Sequence, residues 1–138
     1  ERTLINLDSW EEQTIAIKRI IGALGPGGRY LMCENSVQGL ERINVFREAC
    51  GLDRISPPWH NHYLCEERIN SLNLENAKLI SVKHISSAYY FISRVINAWI
   101  AKQNGKEPEY EAPVNQLGAI LPELGNLGQT KLWIFEKG

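Results

Sequence analysis

Ala23-Leu24-Gly25-Pro26-Gly27-Gly28-Arg29-Tyr30-Leu31-Met32-Cys33-Glu34 reads as the point where a helix stops, the chain turns and an apolar strand begins. Gly25 suits the left-handed residue that closes a helix, Pro26 cannot continue one, and Gly27-Gly28 permit the sharp re-entry a strand needs. Upstream, Arg2-Thr3-Leu4-Ile5-Asn6-Leu7 reads as a short aliphatic strand. Trp10 to Leu24 reads as an amphipathic helix, with Trp10, Thr14, Ile17, Ile21 and Leu24 on one face, widened by Ile20. Ser9 followed by Glu12 is a capping box at its start. Strand, helix, tight turn and strand make a βαβ unit, hence parallel strands joined by a right-handed crossover.

Beyond the turn, Asn35-Ser36 signals a cap, and a helix from about Val37 to Cys50 follows, ended by Gly51. Ser56-Pro57-Pro58-Trp59-His60-Asn61-His62-Tyr63-Leu64-Cys65 is a proline-fixed loop dense in aromatic, imidazole and amide groups. A short helix from Glu66 to Leu74 precedes an alternating strand from Ala77 to Ile85. Ser86 to Ala101 recurs mostly at helical spacing. Gln103 to Pro113 is charged and broken by glycine and proline, and residues 102–114 are expected to form a flexible loop. Val114 to Leu121 makes one or two helical turns, and Thr130 to Glu136 is a closing strand. The expected fold is α/β: a mostly parallel sheet covered by helices, with strands near 2–7, 29–34, 77–85 and 130–136 and the last pair antiparallel.

A chain of 138 residues, 43% hydrophobic and 22% charged, holds one globular domain's worth of core. Its net charge of −1 offers no electrostatic footprint for nucleic acid or an anionic membrane. The odd, scattered cysteines Cys33, Cys50 and Cys65 are expected as reduced thiols in a cytoplasmic protein.

Ligands of open parallel sheets gather beyond the carboxyl ends of the strands, which makes Asn6, Asp8 and Glu34 candidates for a site. The plainer readings are helix capping for Asp8 and Ser9, and an arginine partner or solvated strand end for Glu34. Gln13, in the first helical turn beside the strand end, is placed to touch a ligand, against the plainer reading that it faces solvent. His60 has the chemistry of a general base near neutral pH, against a hydrogen-bonded structural histidine. His60, His62 and Cys65 are zinc-type ligands, but they supply at most three and no second cluster follows, so no metal is expected. Arg94 suits a carboxylate or phosphate and Tyr89 or Tyr90 a hydrogen bond to an acceptor, although aromatics at this spacing more often lie in cores.

The stretch Leu4 to Gln13, the turn Leu24-Gly25-Pro26-Gly27-Gly28-Arg29 and Glu34 closing the next strand together resemble the second half of a class I S-adenosylmethionine-dependent methyltransferase. In that family a helix ending in Leu-Lys-Pro-Gly-Gly leads into the fifth strand of a seven-stranded sheet; Gly25 stands here where the lysine usually is. The family's glycine-rich cofactor loop after a first strand does not occur in these residues, so the resemblance implies the C-terminal portion of a methyltransferase domain, read as a single domain over 1–138. It implies the strand order 4-5-7-6, and Asn6 and Asp8 beside the methyl-transfer end of S-adenosylmethionine. It also implies Glu34 and His60 as catalytic residues, and an acceptor pocket lined by Trp59, Asn61, Tyr89 and Arg94. The implied reaction is methylation of O or N on a small-molecule acceptor. The rival readings are a non-catalytic binding or regulatory domain and a different doubly wound enzyme. An aliphatic strand at Thr3 to Leu7 would leave an unpaired edge, so the chain is expected to form a homodimer or to associate with an N-terminal segment.

Overall fold

The computed structural model describes residues 2–138. After a 3₁₀ turn at Leu4–Asn6, the elements in chain order are α1 (Trp10–Gly22), β1 (Arg29–Asn35), α2 (Val37–Ala49), α3 (Glu66–Asn70) and β2 (Ala77–His84). Then come α4 (Ser87–Phe91), a π-helical segment (Ile92–Asn97), α5 (Ala98–Gln103), α6 (Pro113–Ile120) and β3 (Thr130–Lys137). They divide into two compact units. The first takes the chain up to Val37, Pro57–Lys83 and Lys131–Gly138; the second takes Gln38–Ser56 and His84–Thr130.

In the first unit the sheet has three strands in the order β1-β3-β2. The end of β3 meets the start of β1, where Lys137 N–H donates to Gly28 O at 2.9 Å, and the start of β2, where Gly138 N–H donates to Asn76 O at 2.7 Å. Both pairings are therefore antiparallel. The expected mostly parallel sheet is corrected to a small antiparallel one, and the reason lies at Leu4–Asn6. There Asn6 N–H donates to Thr3 O and Leu7 N–H to Leu4 O, while the Glu34 carboxylate takes the Thr3 and Leu4 N–H groups. Donors satisfied within a turn and by a side chain leave nothing for a ladder. Without a strand ahead of α1 there is no crossover, and the exposed strand edge argued from Thr3 to Leu7 is not formed; Leu4 and Ile5 are buried.

The quoted turn is built differently in detail. Helix α1 ends at Gly22, and the positive φ of 72° falls on Gly27 rather than Gly25. Gly28 N–H donates to Gly25 O at 2.9 Å, so Gly25 to Gly28 form a β-turn with Pro26 and Gly27 at its centre, the residues a type II turn favours. A Cβ on Gly28 would lie 2.8 Å from Gly25 O, so the last position also requires glycine. At the other end of α1 the expected cap forms in a shifted version of the capping box: Ser9 Oγ accepts from Glu12 N–H at 3.2 Å, and Glu12 Oε2 accepts from the N–H of Asp8, one residue before the cap, at 3.0 Å. Ile17 and Ile21 of α1 pack with Leu4, Met32 of β1, and Trp133 and Phe135 of β3. Tyr30 and Phe135 stack across the two strands with centroids 6.2 Å apart.

The second unit is helical. Glu123 fastens the start of α4: its carboxylate accepts from Ser86 N–H and Ser87 Oγ, each at 2.6 Å, and from Ser87 N–H. Burial raises the Glu123 pKa, but these donors outweigh it and hold the carboxyl below its ordinary value. Helix α6 lies close against α4 and the π-helical segment because Gly118 carries no side chain; a Cβ there would be 3.1 Å from Tyr89 Cα.

Candidate functional site

At the carboxyl end of β1 the first unit gathers three segments that are remote in sequence. Glu34 is buried, and its Oε1 accepts from Leu4 N–H at 2.7 Å and Thr3 N–H at 2.8 Å. His62 N–H donates to Ile5 O at 2.6 Å, which ties the proline-rich loop to the 3₁₀ turn. Gln13 locks the join: its Nε2 donates to Leu4 O at 3.1 Å and His62 O at 2.7 Å. The plainer sequence reading placed Gln13 toward solvent, yet it is 2% exposed, because two carbonyls from distant segments need its amide. A parallel bridge between Ser36 and Leu64 continues the same join past the end of β1.

The predicted residues of this unit sit around that knot. Asn6 and Asp8 are exposed at the end of the 3₁₀ turn and just beyond it, the Asn6 Nδ2 donating to Arg2 O at 3.4 Å. Asn61 N–H donates to Pro58 O at 2.9 Å and closes a turn that presents Trp59, 92% exposed, with its ring 5.4 Å from that of His60. A cleft of about 310 Å³ lies beside the knot, lined by Gln13, His62, Tyr63 and Cys65, with Arg68 stacked 5.7 Å over Trp10. Among the described residues no three His, Cys, Asp or Glu side chains gather into a group that could hold a metal ion, so His60, His62 and Cys65 do not converge.

Glu34 is electrostatically unusual. Burial is the largest influence and raises its pKa, opposed by the N–H groups of Leu4, Thr3 and Ile5. Its Oε2 is buried without a hydrogen-bond partner among the described residues. The Tyr30 phenol is pushed up to about 12, by burial first and then by the Glu34 charge. A carboxyl whose folded pKa is raised adds stability that is full below its unfolded pKa and lost as pH rises through the folded one. The Glu34→Gln variant should therefore gain stability relative to wild type as pH climbs through and above the carboxylate range, since the amide keeps an acceptor for Thr3 and Leu4 without the charge. Thermal melts of both proteins across that range check it; a difference that stays flat or shrinks with rising pH refutes the assignment.

The second unit holds Tyr89 and Arg94 in one cleft of about 110 Å³. Helix α4 and the π-helical segment supply Tyr89, Ser93, Arg94 and Asn97; Glu109, Tyr110 and Asn115 close it. Turns of π-helix are uncommon and concentrate at functional sites. Asn97 Nδ2 donates to Glu109 O at 3.0 Å, and Asn115 Nδ2 donates to Glu109 O at 3.2 Å and Tyr110 O at 3.1 Å, so two buried amides hold this side of the cleft. The Arg94 guanidinium lies 6.0 Å from the Tyr110 ring centre. Arg47 donates to Arg94 O, and its own pKa is lowered, first by burial and then by the Arg94 charge. Ser93 and Asn97 escaped sequence reading because the π register that groups them leaves no pattern in residue spacing, and Asn115 because α6 is brought to them only by folding.

No protein-family model, curated protein or solved structure matches this chain. No helix among the described residues is long and apolar enough to cross a membrane.

Proposed function

We propose that this chain forms the acceptor-side part of an enzyme that transfers a methyl group from S-adenosylmethionine to O or N of a small molecule. The observation that carries the reading is the strand order: β3 lies between β1 and β2 and runs against both, the arrangement the resemblance gives to the last three strands. S-adenosylmethionine, when bound, supplies the methyl group on an electrophilic sulfonium. The exposed Asn6 amide and Asp8 carboxylate suit that cofactor's ammonium and hydroxyl groups. His60, exposed beside Trp59, is the residue free to take a proton from an acceptor, and Trp59 and Asn61 give it an aromatic and an amide contact. The Glu34 carboxylate, fixed by Thr3 and Leu4, retains only Oε2 for such a role.

Association with a second copy or an N-terminal segment belongs to the same proposal, supported by Leu31 of β1 and Ile80 and Val82 of β2, all exposed on the sheet. So does a cytoplasmic setting, since no disulfide joins Cys33, Cys50 and Cys65. Calorimetry of the full-length protein with S-adenosylmethionine and S-adenosylhomocysteine is the test. Saturable binding of both is expected; binding of neither removes the methyl-transfer reading in favour of a non-catalytic binding domain.

A further inference from the structure

We infer that the cleft along the π-helical segment recognises the anionic group, carboxylate or phosphate, of a small molecule that also carries a hydroxyl or amine. Two features of its lining and one beside it converge on that chemistry. Arg94 brings a permanent positive charge, and no carboxylate pairs with it among the described residues; its only partner there is the face of Tyr110. A guanidinium half withdrawn from water on an aromatic face, with its five donors unspent, is suited to a planar carboxylate or a phosphate. The second guanidinium, that of Arg47, is anchored on Arg94 O and Asp53 O, and adds positive charge near the cleft without competing for its own counter-ion inside it.

The third feature is an orphaned acceptor. Asn115 is 3% exposed; its Nδ2 is used twice, on Glu109 O and Tyr110 O, while its Oδ1 has no donor among the described residues. Buried polar atoms are seldom left so, and because Asn115 lines the cleft, a ligand O–H or N–H that reaches past the surface of the lining can satisfy its buried Oδ1. Glu109 is the one acidic residue on the lining; its backbone carbonyl holds both asparagines, while its exposed carboxylate makes no ion pair with Arg94 among the described residues. A volume of about 110 Å³ is well below that of a cofactor pocket and limits the occupant to a small acid or the charged end of a larger one. Naming that occupant as the methyl acceptor rests on the methyl-transfer reading; the anion site itself does not.

Two-dimensional ¹H–¹⁵N spectra of the full chain, titrated with glycolate, glycerol 1-phosphate and glycerol, test it. One or both anions should move the Arg94 Nε–H and Asn115 side-chain amide signals along a saturable curve, while neutral glycerol does not; the tighter anion identifies carboxylate or phosphate as the natural group. Arg94→Gln should weaken binding by about tenfold or more, Arg94→Lys less, and Lys106→Gln, at an exposed position off the lining, by under about twofold. Added potassium chloride should weaken binding to wild type, a readout that survives if the Arg94 variants do not fold. No saturable movement with either anion at tens of millimolar, wild-type affinity in Arg94→Gln, or indifference to salt overturns the inference. Because S-adenosylmethionine is absent from the titration, failure here leaves the methyl-transfer reading standing, and failure of that cofactor to bind leaves this one standing.

Discussion

Trp133→Ala is expected to destabilise the first unit by about 3–5 kcal/mol, the range for truncating a large buried aromatic. Trp133 is 0% exposed at the middle of the central strand, packed with Met32, Phe135 and the α1 isoleucines. Nothing nearby can fill the space its ring leaves, because both flanking strands are held by β3 itself. The indole N–H is buried without an acceptor among the described residues, so it contributes a desolvation cost and no bond. Trp133→Phe should therefore cost far less, about 1 kcal/mol, since it removes that unpaired donor while keeping most of the apolar volume. Urea unfolding followed by far-ultraviolet circular dichroism measures both, and Trp10, Trp59 and Trp99 remain as fluorescent reporters. An alanine variant within about 1 kcal/mol of wild type would mean that β3 does not centre this core.

The second large effect belongs to the helical unit. Gly118→Val should destabilise it by about 2–3 kcal/mol, and Gly118→Ala by about 1 kcal/mol. The first added carbon already falls 3.1 Å from Tyr89 Cα and 3.2 Å from Ile92 Cβ, and the backbone contact cannot be relieved by a rotamer change. Valine adds two methyl groups at that point, so α6 must move away from α4 and the π-helical segment. Asn115 lies on α6 three residues earlier and must move with it. The variant should thus lose stability and the anion response of the Asn115 side chain together. Urea unfolding and the glycolate titration on the same sample test the coupling; lost stability with an intact response would separate the α6 packing from the cleft.

Local chemistry was readable from residues alone. The capping box at Ser9 and Glu12, the Pro26-Gly27-Gly28 turn, and the approximate spans of α1, β1, α2, β2 and β3 all depend on near neighbours, which the sequence displays directly. That Tyr89 and Arg94 line one cleft was not readable in this way, because residues five apart do not share a face of a regular α-helix and the π-helical segment brings them together. Even in the turn, though, a distant strand chose the detail: Lys137 O accepts from Gly27 N–H, in a turn where the positive φ falls on Gly27 rather than Gly25.

The tertiary structure decided whatever depended on partners far along the chain. Thr3 to Leu7 has the composition of a strand, yet a carboxylate about thirty residues later captures two of its N–H groups, and those of Asn6 and Leu7 close a 3₁₀ turn. A side chain that satisfies backbone donors competes with a ladder on equal terms, and composition cannot reveal which wins. With that strand gone, the parallel crossover goes too, and the sheet takes its direction from β3 returning between β1 and β2. Gln13 is buried for the same reason, since two carbonyls brought together by folding leave a place only an amide can fill. The cleft's charge balance is likewise a property of packing: the sequence offers Arg94 as a partner for a carboxylate or phosphate, but only the fold sets it against Tyr110 and near Arg47 with no ion pair to a carboxylate among the described residues.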